Sequence, residues 1–132
     1  MGADAMILEQ GGAPYGSVVS EHFRRPRNQG PLPNATGSAE GVNPLCGDRV
    51  RIAVTLDERG DIAEARFVAN ACAICVAAAS LLTEHVQQLP ASDAMRVSDE
   101  EMLAMMGTGV PAGRKRCATL PLEALRRALA AA

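Results

Sequence analysis

The chain has almost no aromatic residues, and this shortage limits the kind of core that it can build. Its 132 residues include no tryptophan, one tyrosine and two phenylalanines, although hydrophobic residues make up 48% of the sequence. The core must therefore consist mainly of alanine, valine, leucine, isoleucine and methionine. This apolar content argues against disorder of the whole chain, and the length favours a single domain.

Long apolar runs and a basic excess are also missing. No run approaches the ~20 apolar residues of a membrane-spanning helix, and the net charge of −2 lacks the basic excess of a typical nucleic-acid binder. Residues 1–13 lack the basic start and apolar stretch of a secretory signal. We therefore expect a cytoplasmic protein with neither a membrane nor a nucleic acid as partner. In a reducing cytosol its four cysteines are more often ligands or reactive thiols than disulfides.

The spacing of apolar residues in the first half of the chain predicts one helix and a small sheet. Helical spacing over 15–25 is followed by a small, polar segment, 35–43, that suits an edge strand. Residues 50–56 and 63–69 alternate in polarity around a turn at 57–60, which predicts an antiparallel hairpin.

The second half changes to a helical period. A long helix is expected over 73–89, and Ser98 with Glu101 forms a capping box before a short helix. Thr119 is the expected N-cap of a last helix from about Leu120. A helix, then strands, then helices is the order of an α+β fold rather than of a parallel sheet.

Three separated segments each place a cysteine next to a turn or a helix start. They read Asn-Pro-Leu-Cys-Gly-Asp at 43–48, Ala-Cys-Ala-Ile-Cys at 71–75 and Arg-Lys-Arg-Cys-Ala-Thr-Leu at 114–120. Together they supply up to four thiolates and one carboxylate, which is enough to hold a zinc ion or an iron–sulfur cluster. Because each segment lies at the end of an expected strand or helix, we expect them to meet at one pole of the sheet.

Local features suggest what each residue contributes to such a site. Cys46 and Asp48 flank Gly47, whose conformational freedom permits a tight turn that brings both side chains into one site. Cys72 precedes the long helix, whose positive end favours a thiolate. Cys117 precedes the last helix and follows three basic residues, so we expect a lowered pKa and a nucleophilic thiol.

Each of these residues also has a simpler interpretation. A single cysteine is most often a small buried hydrophobe, and Asp48 suits an ordinary turn. Cys72 and Cys75 resemble half of a zinc ribbon or a redox motif, but the other half and the βαβ context are missing. A zinc-stabilised structural module is a further alternative, against which Asp48 argues because closed zinc sites use cysteine and histidine. A thiol enzyme that uses Cys117 lacks a nearby base.

The three cysteine motifs, in this order, resemble those of the iron–sulfur cluster assembly scaffold family of the NifU, IscU and SufU type. Residues 15–30 also resemble the family's N-terminal signature, and the similarity extends to about residue 129. It implies one scaffold domain over 15–132 after a flexible tail of residues 1–14. The implied fold is α+β, with a small three-stranded antiparallel sheet, helices packed on one face and a metal site at one end of the sheet.

The resemblance also implies a function and a set of ligands. A scaffold of this type accepts sulfur from a cysteine desulfurase, combines it with iron into a labile 2Fe–2S cluster and passes the cluster to acceptor apo-proteins. It implies that Cys46, Asp48, Cys72 and Cys117 hold the cluster, or a zinc ion in its place. We expect Cys117 to accept the persulfide sulfur. A carboxylate ligand suits a transient cluster because it holds iron less tightly than a fourth thiolate would.

Several positions depart from the branches of this family. Arg116 stands where the ISC type has a histidine, and arginine cannot be a ligand. A basic residue there resembles the zinc-binding SufU branch, a sulfur acceptor, although 72–117 is too short for the usual insertion of that branch. Residues 110–114 keep little of the ISC chaperone-binding motif, which argues against an Hsp70-type partner. Cys75 occupies a position that is usually serine and is either an alternative ligand or a core residue.

Overall fold

The computed structural model describes residues 16–107 and 110–132, so the expected tail over residues 1–14 lies outside the described part of the chain. The order of the elements confirms the α+β class. They are helix α1 (Ser17–Arg24), strands β1 (Gly37–Asn43), β2 (Asp48–Leu56) and β3 (Ile62–Asn70), helices α2 (Ala73–Val86), α3 (Ala91–Met95) and α4 (Asp99–Met105), a 3₁₀ turn (Ala112–Arg114) and helix α5 (Lys115–Ala130).

The three strands form one antiparallel sheet in the order β1-β2-β3, as the sequence predicted. The register pairs Asn43 of β1 with Asp48 of β2, and Arg49 of β2 with Asn70 of β3. The end of β1, the start of β2 and the end of β3 therefore lie side by side at one pole of the sheet, and this pole carries the candidate site.

One face of the sheet is covered and the other is open. Val50, Ile52 and Val54 of β2 are fully buried, whereas the alternate residues Arg49 and Arg51 are exposed. Helices α2 and α5 contact the buried face. This confirms the expectation that the helices pack on one face, and it follows from the period-2 alternation of a half-buried strand.

Two glycines in β1 let α5 lie directly against the edge of the sheet. A β-carbon at Gly37 would lie 2.3 Å from the carbonyl oxygen of Ala128, and one at Gly41 would lie 3.2 Å from the carbonyl oxygen of Leu120. Helix α5 therefore runs antiparallel to β1. This direction brings the first turn of α5, with Cys117, to the pole where β1 ends.

A buried polar contact holds α1 on α2. The Ser80 hydroxyl of α2 accepts a hydrogen bond of 2.8 Å from the backbone N–H of Arg27 and lies 2.8 Å from Nδ1 of His22. Both side chains are buried, with Ser80 fully inaccessible. Because buried polar groups need partners, this contact fixes how α1 sits on α2.

The start of α5 differs from the prediction. The helix begins at Lys115 rather than at about Leu120, so Thr119 is not its N-cap. The Thr119 hydroxyl instead donates to the carbonyl of Lys115 over 3.2 Å. Pro121 lies inside the helix, where it lacks the N–H that would donate to the Cys117 carbonyl. Proline is common in the first turn of a helix, but six residues of α5 precede Pro121.

The remaining helices agree with the prediction in part. Helix α2 ends at Val86, earlier than expected, and the short α3, with Pro90 as its N-cap, was not predicted. The capping box of Ser98 and Glu101 is present at the start of α4. Within residues 16–107 and 110–132, no helix combines the length and the apolar character that a membrane span requires.

Candidate metal centre

The turn between β1 and β2 presents Cys46 at the surface. The Asn43 side-chain oxygen accepts a hydrogen bond from the N–H of Leu45 over 3.1 Å, and its carbonyl accepts one from the N–H of Gly47 over 2.8 Å. Gly47 has a φ of +79°, in the left-handed region where other residues are strained. The expected role of Gly47 in a tight turn is therefore confirmed, and the Cys46 side chain is exposed.

Asp48, the first residue of β2, is buried at 6% exposure. One carboxylate oxygen, Oδ1, accepts a hydrogen bond of 3.1 Å from the backbone N–H of Cys72. The other oxygen, Oδ2, is buried and has no hydrogen-bond partner within residues 16–107 and 110–132. An unpaired buried carboxylate oxygen costs free energy unless a cation or a donor reaches it, so the donor set fits a bound metal.

The other two predicted ligands lie at helix starts. Cys72 is the N-cap residue of α2 and is partly buried, as expected from the sequence. Cys117 lies in the first turn of α5 rather than before the helix, and it is only 3% exposed. The Cys72 thiol is one of the neighbouring groups that raise the pKa of Cys117, so the starts of α2 and α5 lie close together at this pole.

Three of the four predicted ligand residues converge. The Sγ atoms of Cys46 and Cys117 and a carboxylate oxygen of Asp48 all lie within 4.8 Å of one another. The Cys72 thiol does not belong to this group of ligand atoms. Its residue borders the group through the hydrogen bond that the Cys72 backbone N–H donates to Asp48. A metal ion held by the group has thiol and carboxylate ligands of the kinds that zinc and iron use.

The expected lowering of the Cys117 pKa is wrong. Burial, with the neighbouring Cys72 thiol, raises the pKa of Cys117 to about 12, and the hydrogen bond with Arg114 acts in the opposite direction. Arg116 does not lower the pKa of this thiol, because its side chain forms an ion pair of 3.3 Å with Glu123. The expectation failed because the sequence shows nearby basic residues but not the burial of the sulfur atom.

Cys75 lies one helical turn beyond Cys72 and is fully buried. Burial raises the pKa of its thiol, and the negative charges of Asp48 and Cys72 add to this effect. Cys75 is outside the group of three ligand atoms that the described residues form. Its burial favours the core interpretation, although the candidate ligands are near enough for their charges to raise the pKa of its thiol.

Two supporting residues were not recognised from the sequence. Asn43 is buried and holds the turn through its side chain, and asparagine before a turn is the signal that predicts this role. Arg114 was grouped with its two basic neighbours, although of these three residues it is the one that lowers the pKa of Cys117. No local pattern separates it from them.

The fold and this pole together define a small α+β protein that gathers thiols and a carboxylate to hold a metal ion or a cluster. The family model described as the NifU-like N terminal domain matches residues 14–131. The chain therefore belongs to this family of iron–sulfur cluster assembly scaffolds.

Individual relatives carry related names. The chain is 33% identical to the iron–sulfur cluster assembly scaffold protein IscU of Aquifex aeolicus, covering 87% of this chain and 73% of that protein. It is 32% identical to the zinc-dependent sulfurtransferase SufU of Bacillus subtilis, and the match covers 88% of this chain and 89% of that protein. It is 39% identical to the bifunctional protein NifU/MnmA of Rubrobacter xylanophilus, but the match covers 86% of this chain and only 23% of that longer protein.

A solved structure supports the fold independently. The N-terminal part of a NifU-like protein from Brucella abortus superposes with a TM-score of 0.77, covering 89% of this chain and 92% of the other. The two sequences are 19% identical, so this likeness concerns the fold alone.

Proposed function

We propose that this chain is an iron–sulfur cluster assembly scaffold. It takes sulfur from a cysteine desulfurase, assembles it with iron into a labile 2Fe–2S cluster and delivers the cluster to acceptor apo-proteins. The observation that carries the proposal is the group formed by Cys46, Asp48 and Cys117, whose ligand atoms lie within 4.8 Å of one another. In this proposal Cys72, which borders the group, is the fourth residue that holds the cluster.

The donor set suits a cargo that must leave again. Thiolates bind iron strongly, whereas the carboxylate of Asp48 is a harder ligand that exchanges more readily. The buried oxygen of Asp48 that lacks a partner supports a cation at this position, because the cation removes the cost of an unpaired buried charge. The exposure of Cys46 supports an open side through which iron and sulfur reach the group.

Sulfur acceptance at Cys117 stays a prediction, and Cys46 competes with it for this role. A persulfide donor must bring its sulfur into bonding contact with the acceptor thiol. Cys46 is exposed, whereas the Cys117 side chain is buried. These features favour first transfer to Cys46, followed by exchange to the buried thiols.

A zinc-dependent sulfur acceptor is the second candidate function. It is favoured by the similarity to the Bacillus subtilis SufU over 89% of that protein and by Arg116, which cannot replace a histidine ligand. When bound, zinc would be held by the same three thiols and the Asp48 carboxylate, and it would keep the thiols deprotonated for sulfur transfer. Both candidates therefore use one site and differ in the metal.

Metal and sulfide analysis after anaerobic purification tests the proposal. Alanine variants of Cys46, Cys72 and Cys117 should lose most of the bound metal. The matched control Cys75→Ala, which removes a thiol outside the ligand group, should keep the wild-type content. Iron with acid-labile sulfide supports the scaffold. Zinc without iron, together with stimulation of a cysteine desulfurase, favours the sulfur acceptor. Wild-type metal content in all four variants would refute both functions.

A further inference from the structure

Cys72 and Cys75 form a pair of thiols at the start of α2 that the metal site does not fully use. Cys72 is the N-cap and Cys75 the third helical residue, two positions that lie one turn apart on the same side of a helix. Cys72 is partly exposed and Cys75 is fully buried. The pair thus combines an accessible thiol with a protected one, at the spacing of a C-x-x-C redox motif.

The proposed function requires a source of electrons for sulfur, which this pair of thiols can provide. The outer sulfur of a persulfide is at the oxidation level of elemental sulfur, whereas a cluster contains sulfide. Each sulfur atom therefore needs two electrons before it enters a cluster. The backbone N–H of Cys72 donates a hydrogen bond to Asp48, a member of the ligand group, so sulfur that arrives at this group reaches the neighbouring Cys72 by thiol–persulfide exchange.

We propose that Cys75 is a resolving thiol that releases sulfide from a persulfide on Cys72. This inference rests on the proposed function for the arrival of sulfur. The Cys75 sulfur attacks the inner sulfur of the Cys72 persulfide, a Cys72–Cys75 bond forms, and the bond between the two sulfurs of the persulfide breaks. The outer sulfur leaves as hydrogen sulfide with the proton of Cys75. The two thiols supply both electrons, and an external dithiol later reduces the disulfide.

The placement of Cys75 suits this step better than that of the other thiols. Its complete burial keeps it from meeting an external sulfur donor, so it does not become a persulfide first. It lies outside the group of ligand atoms, so its oxidation leaves Cys46 and Cys117 free to take up the sulfide. Its position one helical turn from Cys72 gives the attack the high effective concentration of an intramolecular reaction.

Loading the reduced, metal-free protein with inorganic polysulfide tests this step without a desulfurase. Excess polysulfide is removed by gel filtration, free thiols are alkylated, and the protein is digested with trypsin. Cys72 and Cys75 lie in one tryptic peptide, residues 67–96, and Cys117 in another, residues 117–126. We expect the 67–96 peptide to appear unalkylated and two hydrogens lighter, with one sulfide released per disulfide.

The variants Cys75→Ala and Cys75→Ser should keep the persulfide on Cys72, and sulfide release should fall roughly tenfold or more, because the intramolecular thiol is lost. Circular dichroism and wild-type metal content establish that these variants are folded. Equal sulfide release from wild type and both variants would overturn the inference. A disulfide that joins the 67–96 and 117–126 peptides would overturn it as well, since Cys117 would then be the resolving thiol. Neither result affects the scaffold proposal, which the metal analysis tests separately.

Discussion

The carboxylate of Asp48 accepts a hydrogen bond from the backbone N–H of Cys72 over 3.1 Å. This bond joins the first residue of β2 to the N-cap of α2, two positions that are 24 residues apart in the sequence. It satisfies one of the N–H groups that the start of a helix leaves unpaired. It also fixes the orientation of the carboxylate, whose second oxygen has no hydrogen-bond partner among the described residues.

The first prediction concerns how tightly the site holds its cargo. Replacing Asp48 with cysteine gives the site a fourth soft ligand, which binds iron more strongly than a carboxylate. Asp48→Cys should therefore retain a reconstituted cluster longer and transfer it to an acceptor more slowly, by on the order of tenfold. Absorbance of the cluster during transfer to an apo-ferredoxin measures both quantities.

Asp48→Asn is the matched control for this variant. Its side-chain oxygen can still accept the hydrogen bond from Cys72, but it lacks the negative charge, so it should bind less metal than the wild type. Transfer from Asp48→Cys at the wild-type rate would contradict the idea that the carboxylate makes the cluster labile.

The general position of the site was predictable, because each ligand motif lies at the end of an element. Alternation in β2 and the helical period after Cys72 fix where these elements end, and the antiparallel connection returns the ends to one pole. The burial of Cys117 was not predictable in the same way. It depends on the packing of α5 against β1, which Gly37 and Gly41 permit. These glycines are distant from Cys117 in the sequence, so the residues around Cys117 do not predict this packing.

The second prediction concerns the dependence of stability on pH. Burial, and to a lesser degree the charge of Arg27, lower the pKa of His22, while Glu84 and Glu21 oppose this effect. The Ser80 hydroxyl already accepts from Arg27, and the one described acceptor for its own proton is His22 Nδ1. His22 is thus bound as the neutral imidazole. Protonation at Nδ1 would remove this acceptor.

The unfolded chain consequently takes up a proton more readily than the folded protein. The contribution of His22 to stability is complete above the ordinary histidine pKa of about 6.5 and is lost as the pH falls towards the lower folded value. Urea unfolding of the metal-free protein between pH 7.5 and 5 should show a shallower decline for His22→Gln than for wild type. His85→Gln, which changes an exposed histidine, is the control and should keep the wild-type slope. Parallel profiles for all three proteins would disprove this role.

The third prediction concerns the contact between β1 and α5. A β-carbon at Gly37 would lie 2.3 Å from the backbone oxygen of Ala128, so the helix must move away from the sheet in Gly37→Ala. We expect a loss of about 1–3 kcal/mol in the free energy of unfolding. Gly113→Ala is the control, because a β-carbon there meets no atom within 4 Å. Denaturant unfolding measures the free energy of unfolding of both variants. Equal stability of the two would contradict the close approach of α5 to β1.

The last prediction concerns recognition of the sulfur donor. Leu45 is 96% exposed and precedes Cys46 in a turn that Asn43 and Gly47 hold in place. A desulfurase that delivers persulfide sulfur into this group must cover Leu45, and burying a leucine contributes about 1.5–3 kcal/mol. Leu45→Ser should therefore weaken desulfurase binding by roughly tenfold or more, while metal content stays unchanged because Leu45 supplies no ligand.

Val68→Ser, which removes an exposed valine from β3, is the control and should bind the desulfurase as the wild type does. Isothermal titration calorimetry separates these outcomes, and an unchanged dissociation constant for Leu45→Ser would show that the donor approaches from another side.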